Sequence, residues 1–214
     1  VITTLDMTLQ EAAYHALGNY KGAVVITEVT TGKILAMVSK PDFNPNTIGE
    51  DWGEIANSTD SLLLNRATQG AYAPGSIFKL VTTLEYIREN ADYNNFSHNC
   101  EGEIEHEGTV IHCAKNRKHG EEDLATALAN SCNTAFTNIG LSLHISNLQK
   151  TAKDLLFNSK LPGQFPYSQS KFQLANEDAS YEVMMTAIGQ GKTLVSPYHM
   201  VLIASAVGNG GLLM

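Results

Sequence analysis

Ser76 and Lys79 stand three residues apart in the string Tyr72-Ala73-Pro74-Gly75-Ser76-Ile77-Phe78-Lys79. A serine hydroxyl becomes a nucleophile when a neighbouring base takes its proton, and a lysine is such a base when burial lowers its pKa. Phe78 and Leu80 flank Lys79 and favour that burial. Residues three apart share one helix face, so the Lys79 amine can reach the Ser76 hydroxyl. The first N–H groups of a helix point toward negative charge developing on an attacked carbonyl. The chemistry on offer is acyl transfer through a serine ester. Helix capping by Ser76 and solvation of Lys79 are the ordinary structural alternative.

A second string, Ser131-Cys132-Asn133, falls between two helical patterns. In a tight turn both polar side chains can project the same way. Ser131 then offers a hydroxyl that passes protons, and Asn133 an amide that donates and accepts. Capping is again the bland reading.

Three cysteines, Cys100, Cys113 and Cys132, are an odd number and fit no small disulfide scaffold. With His98, His106, His112 and His119 they supply enough donors for zinc, but no Cys-x-x-Cys or His-x-x-x-His spacing is present. The expectation is therefore no metal, and a disulfide or free thiols in a polar loop. Cys132 bridged to Cys113 or to Cys100 would tie that loop to the Ser-x-Asn turn and make activity redox-dependent. A Cys100–Cys113 bridge would staple the loop alone. Gly191-Lys192-Thr193 imitates the end of a phosphate-binding loop, but Thr186 holds the first glycine position and no strand precedes it. Nucleotide binding is rejected and no cofactor is expected.

The elements that must position these residues follow from pattern. The chain has 214 residues, 43% of them hydrophobic, enough for one domain or a domain with a lobe. A net charge of -8 without a basic cluster argues against nucleic acid. The longest apolar run, residues 200–207, is too short to span a bilayer, so any membrane anchor or export signal lies outside this chain. Asp6 leads into a helix over residues 7–17 that stops at Gly18. The runs 23–29 and 34–38 around Gly32 read as a hairpin buried on both faces. Residues 39–70 read as loop. Apolar spacing through Ile77, Leu80, Val81, Leu84 and Ile87 predicts a helix from about 74 to 90.

Beyond it, residues 91–120 are polar with a short hairpin near Gly108. Helices are expected over 121–129 and 134–143. Ser146 opens a further helix, reaching residue 157, with a capping box. Residues 161–175 read as loop, 178–188 as helix, and Ser196-Pro197 starts a last helix ended by Gly208-Asn209-Gly210-Gly211. The fold class is α/β (α+β), with helices around an antiparallel sheet. The helix and hairpin of 1–38 and the serine helix of 74–90 lie at the sheet, and a mostly helical lobe covers about 91–207.

Ser76-x-x-Lys79 followed by Ser131-x-Asn133 makes up two of the three motifs shared by penicillin-binding proteins and serine β-lactamases. Nearly the whole chain resembles the transpeptidase domain of high-molecular-weight penicillin-binding proteins. Thr4-Leu5-Asp6 with Gln10, Gly22-Ala23-Val24-Val25, Gly32-Lys33-Ile34-Leu35-Ala36-Met37, Asn65-Arg66-Ala67, Ile188-Gly189-Gln190-Gly191 and Val195-Ser196-Pro197 carry the likeness alongside the Ser76 string. The resemblance implies D,D-transpeptidation of peptidoglycan stem peptides. Ser76 would attack the carbonyl between two D-alanines, with Lys79 taking its proton and Ser131 relaying one to the leaving amine. Asn133 would hold the substrate amide, and the oxyanion would rest on the Ser76 N–H and on a second N–H from an edge strand carrying Lys-Thr-Gly. β-Lactams would acylate Ser76. The implied partners are stem peptides, β-lactams, the rest of the chain's own polypeptide and other cell-wall synthesis proteins, at the outer face of a bacterial cytoplasmic membrane.

The family's third motif, Lys-Thr-Gly on an edge strand, is not found before Met214, and Lys192-Thr193-Leu194 does not match it. A hairpin alone leaves an open edge and a bare apolar face. The expectation is a longer protein that supplies the missing strands. Two other readings share the serine. A class A β-lactamase would normally have Asp where Cys132 stands and a glutamate-bearing loop, for which Glu177 and Glu182 are the nearest acids. A non-catalytic β-lactam sensor would still be acylated at Ser76, whereas a cell-wall scaffold would not.

Overall fold

In the computed structural model, which describes residues 2–214, the helix and hairpin at the start of the chain lock together through the residues that flank them. Asp6 caps α1 (Met7–Leu17) by accepting the Leu9 N–H at 3.1 Å, and Gly18 ends it. β1 (Gly22–Thr27) pairs antiparallel with β2 (Ile34–Lys40). Gln10 reaches from α1 to the β2 backbone, donating to the Met37 carbonyl at 2.9 Å and accepting the Met37 N–H at 2.8 Å. Asp6 N–H adds a bond to the Leu35 carbonyl at 2.8 Å, and Thr4 Oγ1 one to Ile34 at 2.6 Å.

Ala13, Ala36 and Val38 form the core between helix and hairpin, with Leu9, Leu17, Val24 and Ile26 packed around them. α8 (Pro197–Gly208) packs on β1, where Ser205 and Thr27 share a 2.8 Å hydrogen bond. The hairpin was expected to be buried on both faces. Yet every β1 residue is only partly buried, because among the described residues β2 is its one sheet neighbour and its other edge carries no strand. The region expected to be loop, 39–70, contains one short helix, α2 (Trp52–Asn57), in which Ile55 alone is buried. One apolar contact in six residues is below what periodicity can register.

The chain forms two compact units. One comprises the residues up to Tyr72 together with Leu161–Ser170 and Val195–Met214, and so holds α1, β1, β2, α2 and α8. The second comprises Ala73–Lys160 and Lys171–Leu194. It contains α3 (Lys79–Glu89), β3 (His98–Cys100), β4 (Glu103–His106), β5 (Thr109–His112) and β6 (Gly120–Glu122). It also holds α4 (Leu124–Ala129), α5 (Asn133–Ser142), α6 (Ile145–Asp154) and α7 (Ser180–Ala187).

In that second unit β4 and β5 form the short hairpin anticipated near Gly108, turning through Glu107 and Gly108, both at positive φ. β3 pairs with β6, so Gly120–Glu122 is strand where a helix was expected to begin. The helix starts three residues later than expected because Asp123 caps it, in a reciprocal capping box with Thr126. The N-cap residue of α6 is His144, which makes no side-chain cap bond, so Ser146 lies inside the helix and the expected capping box is not formed. α5 and α7 pack closely at Gly140, where a side-chain carbon would come within 2.4 Å of Ala187. Among the described residues no helix is long and apolar enough to cross a membrane.

Candidate active site

Ser76 sits on a short 3-10 turn, Gly75–Phe78, that runs directly into α3. Two features of the second unit fix the turn. Gly75 N–H donates to the Gly189 carbonyl at 2.8 Å, and a side-chain carbon on Gly189 would lie 1.8 Å from the Gly75 carbonyl oxygen. Gly189 also has φ +78°, so both space and backbone conformation require glycine. Below the turn Phe78 is wholly buried, edge-on to Phe157 at 5.8 Å between ring centroids and stacked on Phe172 at 6.0 Å. The anchors hold the turn while Ser76 faces outward, exposed, its hydroxyl without a hydrogen-bond partner among the described residues.

Lys79, at the start of α3, is completely buried. Its ammonium donates to the Ser131 carbonyl at 2.7 Å, to Ser131 Oγ at 3.1 Å and to Asn133 Oδ1 at 2.7 Å, and lies 5.3 Å from the centre of the Phe136 ring. Three donors meet three acceptors. The direct Ser76–Lys79 hydrogen bond anticipated from their spacing is therefore not made: the lysine turns to residues more than fifty positions away. Burial lowers the Lys79 pKa from 10.5 to about 8, against the opposing influence of Cys132, Cys113 and Glu122, which favour the charged form.

The turn that carries Ser131 is built by the end of α4. Cys132 N–H donates to the Ala127 carbonyl at 2.9 Å and Ser131 N–H to Leu128 at 3.0 Å, the paired bonds of a Schellman motif. Ser131 takes the left-handed position of that motif, at φ +53°. Cys132 then caps α5, its sulfur accepting the Ala135 N–H at 3.4 Å. The short turn aims Ser131 Oγ and Asn133 Oδ1 at one ammonium. Asn133 Nδ2 donates onward to the His112 carbonyl at the end of β5, at 2.9 Å.

Glu122 and Asn130 escaped the sequence reading. The buried Glu122 carboxylate accepts from Asn130 Nδ2 at 2.7 Å and so braces the turn from β6. A buried glutamate on a three-residue strand has no periodic signature; Asp123 two residues before Ala125, marking the helix start, was the available hint that Glu122 lay outside the helix.

Of the alternatives open to the cysteines, free thiols are what the structure has, and the possible Cys113–Cys132 disulfide is not formed. All three cysteines are free and buried, with Cys113 Sγ 3.7 Å from Cys100 Sγ and 3.8 Å from Cys132 Sγ, far beyond the roughly 2.05 Å of a disulfide. Cys113 stands between two equidistant thiols, and His119 Nδ1 joins the group 3.3 Å from Cys100 Sγ.

The sequence model described as the penicillin binding protein transpeptidase domain matches residues 22–214. The chain belongs to the penicillin-binding protein transpeptidase family. Among curated family members, peptidoglycan D,D-transpeptidase PbpA of Mycobacterium tuberculosis is 30% identical over 232 aligned positions, spanning 100% of this chain and 47% of that protein. The chain thus spans about half the length of the relatives it matches. Solved transpeptidases superpose closely. The penicillin G acyl-enzyme complex of penicillin-binding protein A from M. tuberculosis has a TM-score of 0.88 at 30% identity, covering 99% of this chain and 52% of that one. The complex of penicillin-binding protein PBP2 with MreC from Helicobacter pylori has a TM-score of 0.87 at 26% identity, covering 96% and 42%. A transpeptidase fold of mixed helix and antiparallel sheet is what the two strings and the element pattern had implied.

Proposed function

We propose that the chain provides the serine and its general base for a peptidoglycan D,D-transpeptidase, and that β-lactams acylate it at Ser76. One observation carries the assignment: a fully buried lysine, one turn beyond an exposed serine, held by Ser131 and Asn133. The family membership and the acyl-enzyme complex of a relative support it.

Ser76 Oγ attacks the carbonyl between the last two residues of a stem peptide, forming a C–O bond as its proton leaves. Lys79 accepts the proton in its neutral form, and with a pKa near 8 roughly one-tenth of the molecules are neutral at pH 7. Ser131 Oγ already bonds the lysine, so the proton passes through it to the departing D-alanine amine. The Ser76 backbone N–H, in the first turn of its helix, supports the oxyanion. An amine from a neighbouring strand then takes the acyl group and returns Ser76 to its free form. Asn133 fixes Lys79 through Oδ1, and the Nδ2 hydrogen not given to His112 is the one left to hold the substrate amide.

The reading includes action at the outer face of the bacterial cytoplasmic membrane, with stem peptides as substrate and other cell-wall synthesis proteins as partners. The MreC complex of the H. pylori relative supports the last of these. Incubating the native protein with a D-alanyl-D-alanine-terminated stem peptide and an excess of a labelled D-amino acid tests it. Exchange of the terminal residue that ceases in Ser76→Ala is expected. Rapid turnover of benzylpenicillin without exchange would make the protein a β-lactamase instead.

A further inference from the structure

The four donor atoms of Cys100, Cys113, His119 and Cys132 all lie within 4.8 Å of one another. They come from four separate places in the second unit: the end of β3, the residue after β5, the loop before β6, and the α4–α5 turn. Zinc bonded to sulfur at about 2.3 Å and to nitrogen at about 2.05 Å in tetrahedral geometry separates its ligands by about 3.8 Å for two sulfurs and about 3.6 Å for sulfur and nitrogen. The spacings are 3.7 and 3.8 Å between sulfurs and 3.3 Å between Cys100 Sγ and His119 Nδ1.

We propose that these residues hold a structural zinc ion. The donors are soft and number four, leaving no open position for a substrate. Binding converts three thiols to thiolates, releases three protons and leaves one net negative charge on the centre. Donors for such thiolates are in place: Ala135 N–H reaches Cys132 Sγ at 3.4 Å, and Thr134 Oγ1 stands 3.2 Å from Cys132 Sγ and 4.0 Å from Cys113 Sγ. A disulfide between any two cysteines would leave the third thiol and the imidazole crowded against it without purpose.

The ion answers a structural need. Strands β3 to β6 have three or four residues each and bury few apolar side chains, so a metal cross-link supplies what a core does not. It also fixes the turn between Ser131 and Asn133, since Cys132 is the residue between them. That consequence rests on the proposed function; the metal itself does not.

The test is metal content of the native protein purified without chelator, by plasma mass spectrometry, with cobalt(II) replacing zinc as an optical probe. The account expects about one zinc per chain, intense tetrahedral thiolate–cobalt absorption, and three thiols that alkylate only after the metal is removed. His119 is partly exposed, so substituting it spares the fold: His119→Ala should lose the metal and His119→Cys should keep it. Protein that holds no stoichiometric metal and takes up neither ion, or that yields a disulfide among the three cysteines, overturns the proposal. If zinc is present and penicillin acylation proves insensitive to its removal, the site stands and its link to the Ser131 turn falls.

Discussion

Lys79 Nζ donates to Asn133 Oδ1 across 2.7 Å, and the other half of that amide is spent on the His112 carbonyl, which fixes its orientation. A neutral acceptor at this place positions the lysine without strongly favouring its charged form. Asn133→Asp keeps the shape and sets a carboxylate against the ammonium. The Lys79 pKa should then rise, and acylation by a β-lactam at pH 7 should slow about tenfold for each unit of rise. Acylation rate constants measured across pH would show the profile displaced upward; an unchanged profile would mean that Asn133 does not set the state of Lys79.

The lowered Lys79 pKa acts on both the acylation rate and the stability of the fold. As the base, Lys79 acts when neutral, so acylation should increase with pH and level off above about 8. In folding, the unfolded lysine binds its proton up to about 10.5, so between roughly 8 and 10.5 the unfolded chain holds more protons. Stability should therefore rise with pH across that window relative to Lys79→Met. Melting curves of the two proteins at pH 7 and pH 10 test this, and a parallel response would contradict it.

Ser131 occupies a left-handed position that glycine fills at least as well. Ser131→Gly removes the hydroxyl while easing the backbone, so the melting temperature should hold or rise slightly. Acylation should fall by about 10²–10⁴, the range of general acid–base contributions. A variant that melts normally and still acylates at the native rate would remove Ser131 from the proton path.

Gly189→Ala places a carbon where the Gly75 carbonyl oxygen lies. The Ser76 turn must move, and the left-handed backbone adds about 1–3 kcal/mol of strain. Lower thermal stability and slowed acylation should appear together; a variant with native values for both would show the turn to be more tolerant than its spacing implies.

Local signals were legible where a cap or a period stood in the chain. Asp6 and Gly18 bound α1, Ser196-Pro197 opens α8, and Glu107-Gly108 turns the β4–β5 hairpin, each through backbone chemistry of a few adjacent residues. Pairings between distant segments were not legible. β3 and β6 are three residues each and find one another across about twenty positions, which no alternation could reveal. The two strings of the site were visible as residue types, but the sequence suggested Lys79 bonded to its neighbour Ser76. Burial and the Schellman turn direct it instead to Ser131 and Asn133. The cysteines and His119 show the same limit: spaced 13, 6 and 13 apart they match no local pattern, and only folding shows them converging.

Peptide mass spectrometry of the native protein after brief exposure to benzylpenicillin tests the central claim most directly. The account predicts one penicilloyl group, carried by the peptide containing Ser76, slow to hydrolyse and missing from Ser76→Ala. An adduct on another residue, or none at all from a folded protein, would contradict it.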